Sequence, residues 1–237
     1  MNPRSTSETE LKGASGGRQG APKRKREPRL RERFREETRR ALLAAAEQTL
    51  ARDGLANARM ETIAQAAGVA VGTVYNYFSD REQLISALLE LRRSELLNRL
   101  AAVAEGTVDS PFQVALEGYV RAMLEHFEQH RALFRLLLQE ELGSAKKATK
   151  GSKHTMLREL MARAEALTAL GVKQGALRAE DAELHGVMLL GLLRGVLLKS
   201  LDESFRLSLD DATGAVLRLF LRGSGDTSPC RTEKDAP

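Results

Sequence analysis

The sequence predicts an all-α protein, with an N-terminal three-helix helix-turn-helix domain followed by a larger helical domain. Three observations carry this. Aromatic residues make up only 4% of the 237 residues and tryptophan is absent, whereas the strong helix formers Ala, Leu, Glu and Arg are abundant. Apolar residues recur at three-, four- and seven-residue spacings, and no segment shows the alternation of a strand. Capping residues, glycines and prolines fall where helix ends are needed.

Element by element, Phe34, Leu42, Leu43, Ala46 and Leu50 trace one face of a helix that starts near Arg31 and stops at Gly54. A short helix over about Met60–Ala67 is broken at Gly68, and a second covers about Val71–Tyr77. Ser79 with Glu82 reads as a capping box that opens a longer helix. Ser110 as N-cap with Pro111 at the first helical position starts a helix to about Gln129. Further helices are expected over Arg131–Leu142, Lys153–Leu170, Ala179–Leu201 and Leu209–Leu221, the last capped by Ser208 and stopped at Gly223. A polar loop is expected over Gly143–Gly151. The resulting domains are a disordered basic arm (1–28), the helix-turn-helix domain (29–82), a second helical domain (83–223) and a disordered tail (224–237).

The composition, 42% hydrophobic and 29% charged, suits a soluble globular chain. A single cysteine, Cys230, in a polar tail argues against a disulfide-built module. The charged N-terminus has no apolar core like that of a signal peptide, so a cytoplasmic location is expected. The most apolar stretch, Leu184–Leu201, carries His185, Arg194 and Lys199, and reads as a buried helix and not a membrane span. The net charge of +5 is local: residues 1–30 hold eight basic and three acidic groups, residues 31–93 ten and nine, and the rest nineteen and twenty. The cluster Lys23–Arg26 suits phosphates or a minor groove, or equally a solvated linker.

The informative stretch is METIAQAAGVAVGTVYNY, Met60–Tyr77. Two short helices crossing steeply need a small residue where they touch, here Ala64, and a residue able to take positive φ in the turn, here Gly68. Ile63, Ala67, Val69, Val74 and Tyr77 are the apolar residues that lock the pair. In such a motif the second helix enters the major groove by its N-terminal residues. Val71, Gly72, Thr73 and Asn76 are therefore placed for base contact.

Together with TRRALLAAAEQTLARDG (Thr38–Gly54), the stretch TIAQAAGVAVGTVYNYFSDREQL (Thr62–Leu84) resembles the DNA-binding domain of the tetracycline-repressor-like (TetR/AcrR) family. The matching elements are Ile63-Ala64, Ala67-Gly68-Val69, Gly72-Thr73-Val74-Tyr75, Tyr77-Phe78 and Arg81-Glu82-x-Leu84. The resemblance implies phosphate contacts by Tyr75, Tyr77 and Arg81, the last replacing the family's usual lysine, with Arg59 and Thr62 as further contacts. Two positions depart from the pattern. Ala70 and Arg59 replace hydroxyl residues, and each lost cap costs about 1 kcal/mol.

In the C-terminal part, Gly191 and Gly195 form a flat surface that admits a neighbouring helix, ringed by Leu184, Met188 and Leu198. The resemblance implies that this helix and the last one, with Leu217, form a homodimer interface. It also implies a pocket for an apolar small molecule, with Tyr119, Met123, Phe127, Phe134, Met156 and Leu160 as lining residues. His126 and His130, one turn apart and flanked by Glu125 and Glu128, read as surface polarity, and no metal or cofactor is expected. No phosphate-binding loop or nucleophile with a base is evident. The sequence thus points to a homodimeric, ligand-responsive repressor acting on a palindromic operator in double-stranded DNA. The alternatives are an architectural DNA binder using the basic arm, and a helical enzyme without a recognisable motif.

Overall fold

The structure, a computed structural model, describes residues 26–136, 150–202 and 207–224. Every regular element among the described residues is a helix: α1 (Arg26–Asn57), α2 (Met60–Ala66), α3 (Val71–Tyr75), α4 (Arg81–Gly106), α5 (Phe112–Gln129), α6 (Lys150–Lys173), α7 (Ala182–Ser200) and α8 (Leu209–Ser224). Residues 131–136 are also helical. The all-α expectation is met. Most of the arm, the C-terminal tail with Cys230, the continuation of the helix to Leu142 and most of the 143–151 loop lie outside the described residues.

The chain divides into two compact units, Met1–Thr38 and Arg39–Pro237. In the first, helix already begins at Arg26, ahead of the arm boundary placed at residue 28, and Leu30 and Phe34 are exposed. The Thr38 hydroxyl donates to the Phe34 carbonyl at 2.8 Å.

The second unit holds two apolar cores. One collects Leu42, Leu43, Leu50, Ile63, Ala64, Val74, Phe78, Leu84 and Leu88, and also Leu133 from beyond α5. The other collects Leu96, Leu100, Phe112, Leu116, Val120, Leu189, Leu193, Val216 and Phe220. Burying each large side chain contributes about 1.5–3 kcal/mol. α4 is uninterrupted and supplies Leu84 and Leu88 to the first core and Leu96 and Leu100 to the second. The boundary expected between residues 82 and 83 falls in the first turn of α4, which continues from one core into the other.

Several helix ends differ from the sequence reading. Gly54, read as the stop of this helix, takes a positive φ of 76°, but helical hydrogen bonding resumes and α1 ends at Asn57. The cap of α4 is Asp80, whose carboxylate accepts from Gln83 N–H at 2.7 Å, while Gln83 Oε1 accepts from Ser79 N–H at 2.6 Å. The box is thus shifted one residue from Ser79 and Glu82. These bonds, first from Gln83 N–H and then from the Ser79 hydroxyl, hold the Asp80 carboxyl below its ordinary pKa. At α5 the cap residue is Pro111, not Ser110. Pro111 offers no side-chain acceptor, and the Phe112 N–H is instead taken by Gln174 Oε1 at 2.7 Å. α8 follows the expectation at its start, where Ser208 Oγ accepts from Asp211 N–H at 3.1 Å, but it runs past Gly223 to Ser224.

Candidate nucleic-acid interface

The helix-turn-helix is built by α2, the turn 67–70 and α3. Ala64 and Ile63 of α2 and Val74 of α3 are all but fully buried, so the two helices meet where the small side chain allows close contact. Gly68 sits in the turn with φ 68°, a left-handed conformation that costs a side-chain-bearing residue about 1 kcal/mol. The turn is closed by Val69 N–H donating to the Ala64 carbonyl at 3.0 Å. Phe78 follows α3 into the core, with the Arg39 guanidinium 5.7 Å from its ring centroid.

Packing on Val74 turns the other side chains of α3 outward. Gly72, Tyr75 and Asn76 are exposed, with Tyr75 at 48%, and Val71, Thr73 and Tyr77 are half-buried. Tyr77 packs against the same core, its ring centroid 6.5 Å from that of Phe78. Arg81, in the first turn of α4, is half-buried, Thr62 is half-buried on α2 and Arg59 is exposed at the α2 N-cap. Neither Arg59 nor Ala70 makes a side-chain cap bond, as their residue types require. The motif therefore presents a short helix with a hydroxyl, an amide and a phenol on its open side, flanked by arginines. Such groups suit base edges and phosphates.

Behind this surface lies a polar cluster that sequence reasoning did not find. Glu47 of α1 is held by the Arg92 guanidinium of α4, with Nε at 3.0 Å, and by His130 Nδ1 at 2.7 Å. Arg92 also donates to Glu95 at 2.6 Å. Burial lowers the Arg92 pKa, but its bonds to Glu95 and Glu47 outweigh this and leave the pKa above the ordinary value. His130 is thus no surface residue. His126, one turn earlier, is 1% exposed. Reading the pair as surface polarity is corrected: His130 faces Glu47 of α1 and Glu95 of α4, and His126 is buried with Phe134 edge-on to its ring. No group of three or more potential metal ligands is found among the described residues.

The residues read as pocket-lining are placed as follows. Tyr119, Met123, Phe127 and Leu160 are buried, and Phe134 and Met156 are half-buried. Phe127 and Phe134 stack at 4.9 Å, and burial raises the Tyr119 pKa above its ordinary value. Of the residues read as a dimer surface, Leu184, Met188, Gly191, Gly195 and Leu198 are exposed and Leu217 is half-buried. The glycines of α7 divide by role. A Cβ on Gly186 would lie 3.1 Å from Glu165 of α6, whereas Gly191 and Gly195 face open space.

Residues 42–88, the span from α1 through the motif into α4, match the profile of the family described as bacterial regulatory proteins, tetR family. That span, the helix-turn-helix and its flanks, is the part of the chain that is similar to the tetR family. The chain is 24% identical over 151 residues to the HTH-type transcriptional regulator YhgD of Bacillus subtilis, covering 64% of this chain and 78% of that one. The fold is similar to that of the fatty acid degradation regulator FadR from Bacillus halodurans, with TM-score 0.66, 23% identity, and coverage of 77% and 97%. It is equally similar to SmeT solved with triclosan, with TM-score 0.66, 21% identity, and coverage of 85% and 99%. No helix among the described residues is long and apolar enough to cross a membrane.

Proposed function

We propose that this protein is a cytoplasmic homodimeric repressor that binds a palindromic DNA operator and releases it when an apolar small molecule enters the C-terminal domain. The observation that carries the DNA reading is the two-sidedness of α3: Val74 is locked into the core while Gly72, Tyr75 and Asn76 stay open. In this reading Val71, Gly72, Thr73 and Asn76 meet base edges. Tyr75, Tyr77, Arg81, Arg59 and Thr62 meet phosphates and fix register.

The dimer reading is supported by the stripe Leu184, Met188, Gly191, Gly195 and Leu198. These residues recur at coiled-coil spacing on α7, and every one is exposed in the single chain. A two-fold axis through this face would present two recognition helices to two half-sites. The effector reading is supported by the aromatic and Met side chains of α5 and by the neighbour SmeT, which is solved with triclosan. Ligand and operator then oppose each other by linkage.

Selection of binding sites from random DNA, followed by footprinting, tests this. A short palindrome protected equally by the chain lacking residues 1–28 is expected. Uniform coating abolished by that deletion would establish the architectural reading in its place. The double variant T73A/Y75F is expected to lose the selected site by at least tenfold while keeping its oligomeric mass, since each lost base or phosphate contact weakens binding severalfold.

A further inference from the structure

Two histidines of the second unit are buried with both ring nitrogens unpartnered, His126 on α5 and His185 on α7. Buried polar atoms in folded proteins are nearly always satisfied, so each asks for an explanation. His126 has the more informative surroundings. Phe134 stands edge-on to its ring at 6.2 Å, and Phe134 in turn stacks on Phe127. His130, 4.8 Å away ring to ring, is committed to Glu47.

We infer that His126 is the polar anchor of the effector site, and that the site takes a small aromatic or apolar molecule carrying one hydroxyl group. The inference rests on the ligand-responsive reading above and adds the chemistry of the ligand's head group.

Hydrogen-bond supply at the His126 ring selects the head group. Burial, then the electrostatic influence of the neighbouring His130 and Arg99 side chains, push the His126 pKa down to about 4, so the ring is neutral near pH 7. A neutral imidazole presents one N–H donor and one bare nitrogen acceptor. A hydroxyl satisfies either, because it both donates and accepts. A carboxylate can only accept and would enter the core as an ion. Of the nearby guanidiniums, Arg92 is already paired with two carboxylates, Glu47 and Glu95, and Arg99 Nη2 donates to Gln129, so an added ion would have no neutralising partner except the remaining Arg99 donors. An ammonium would meet those same arginines as a like charge. The aromatic neighbours supply the apolar contacts for the body of the molecule. An occupant here touches the turn of α5 that ends at His130, and is therefore within reach of the Glu47 cluster.

Three probes with one body and different heads test this on the full-length protein: 4-ethylphenol, ethylbenzene and 4-ethylbenzoate. Each is titrated by NMR into wild type, His126→Phe and the control His185→Phe. Wild type and H185F are expected to bind 4-ethylphenol about fivefold tighter than ethylbenzene, the worth of one net hydrogen bond. In H126F the two affinities become equal. A thermal midpoint of H126F at or above that of wild type is expected, because orphan polar atoms are replaced by a ring of similar shape. The 15N-histidine spectrum of wild type gives a second readout that needs no variant to fold: the ring nitrogens of one neutral histidine must shift with 4-ethylphenol and not with ethylbenzene. Equal binding of phenol and hydrocarbon by wild type, a preference that survives in H126F, or tightest binding of the benzoate would overturn the anchor and leave an apolar effector site standing. Binding of none of the probes at millimolar concentration would overturn the anchor together with the effector reading.

Discussion

Glu47 Oε1 lies 2.7 Å from His130 Nδ1, joining a helix of the DNA-binding core to the residue that ends α5. Arg92 closes on the other carboxylate oxygen, and all three side chains are at least four-fifths buried. The carboxylate is thus gripped from α4 and from α5 at once, and any shift between those helices changes its partners.

Removing this carboxylate leaves Arg92 and His130 partly buried and short of an acceptor. Glu47→Ala is expected to lower the unfolding free energy by about 2 kcal/mol, below the 3–5 kcal/mol seen for fully buried pairs because the cluster keeps some solvent contact. Denaturant titration measures it. Asp53→Asn, which breaks the solvent-exposed pair of Asp53 with Arg52 at 2.7 Å, is expected to leave the midpoint unmoved.

The two glycines of the motif should respond oppositely. Gly68→Ala forces a Cβ into positive φ and is expected to cost about 1 kcal/mol. Gly72→Ala adds a methyl in open space within α3 and is expected to stabilise the fold by about 0.5–1 kcal/mol. On the DNA reading the same methyl weakens operator binding, so thermal unfolding and a binding titration on G72A should move in opposite directions.

Acid sensitivity should carry the signature of a buried neutral histidine. His126 titrates near 6.5 in the unfolded chain and at about 4 when folded. The unfolded state therefore binds the proton first, and stability is lost as pH falls from about 6.5 towards 4, with no further loss from this group below that. The contribution is on the order of 3 kcal/mol. Burial moves His185 in the same direction. The difference in unfolding free energy between wild type and H126F, followed from pH 7 to pH 4, isolates the His126 part. A pH-independent difference would contradict it.

The exposed stripe of α7 predicts the assembly. Gly195→Glu adds a side chain that meets nothing within its own chain, so the fold should be retained and helix propensity improved. At a two-fold interface it places two carboxylates in an apolar seam. Sedimentation velocity at micromolar concentration is expected to show a dimer for wild type and a monomer for G195E. A wild-type monomer would refute the dimer.

The features legible in the sequence were those with a local cause. Gly68 in the turn, Ala64 at the crossing, Val74 and Phe78 in the core and Ser208 at the start of α8 each follow from a preference expressed within a few residues. Even His126 left a trace, since Tyr119, Met123, His126 and His130 share one helical face by spacing alone. What that face packs against was not legible. Glu47 meets His130 across 83 residues, Gln174 caps Phe112 across 62, and Leu133 enters a core built mostly from the first 88 residues. Gly186 and Gly191 have the same residue type in the same helix, yet one is pressed against α6 and the other faces open space. The sequence alone determined the helices and the helix-turn-helix motif, because backbone preference and side-chain periodicity act within a turn or two. Only the tertiary structure decided which polar groups are paired, buried or orphaned, because that depends on how helices distant in sequence are packed together.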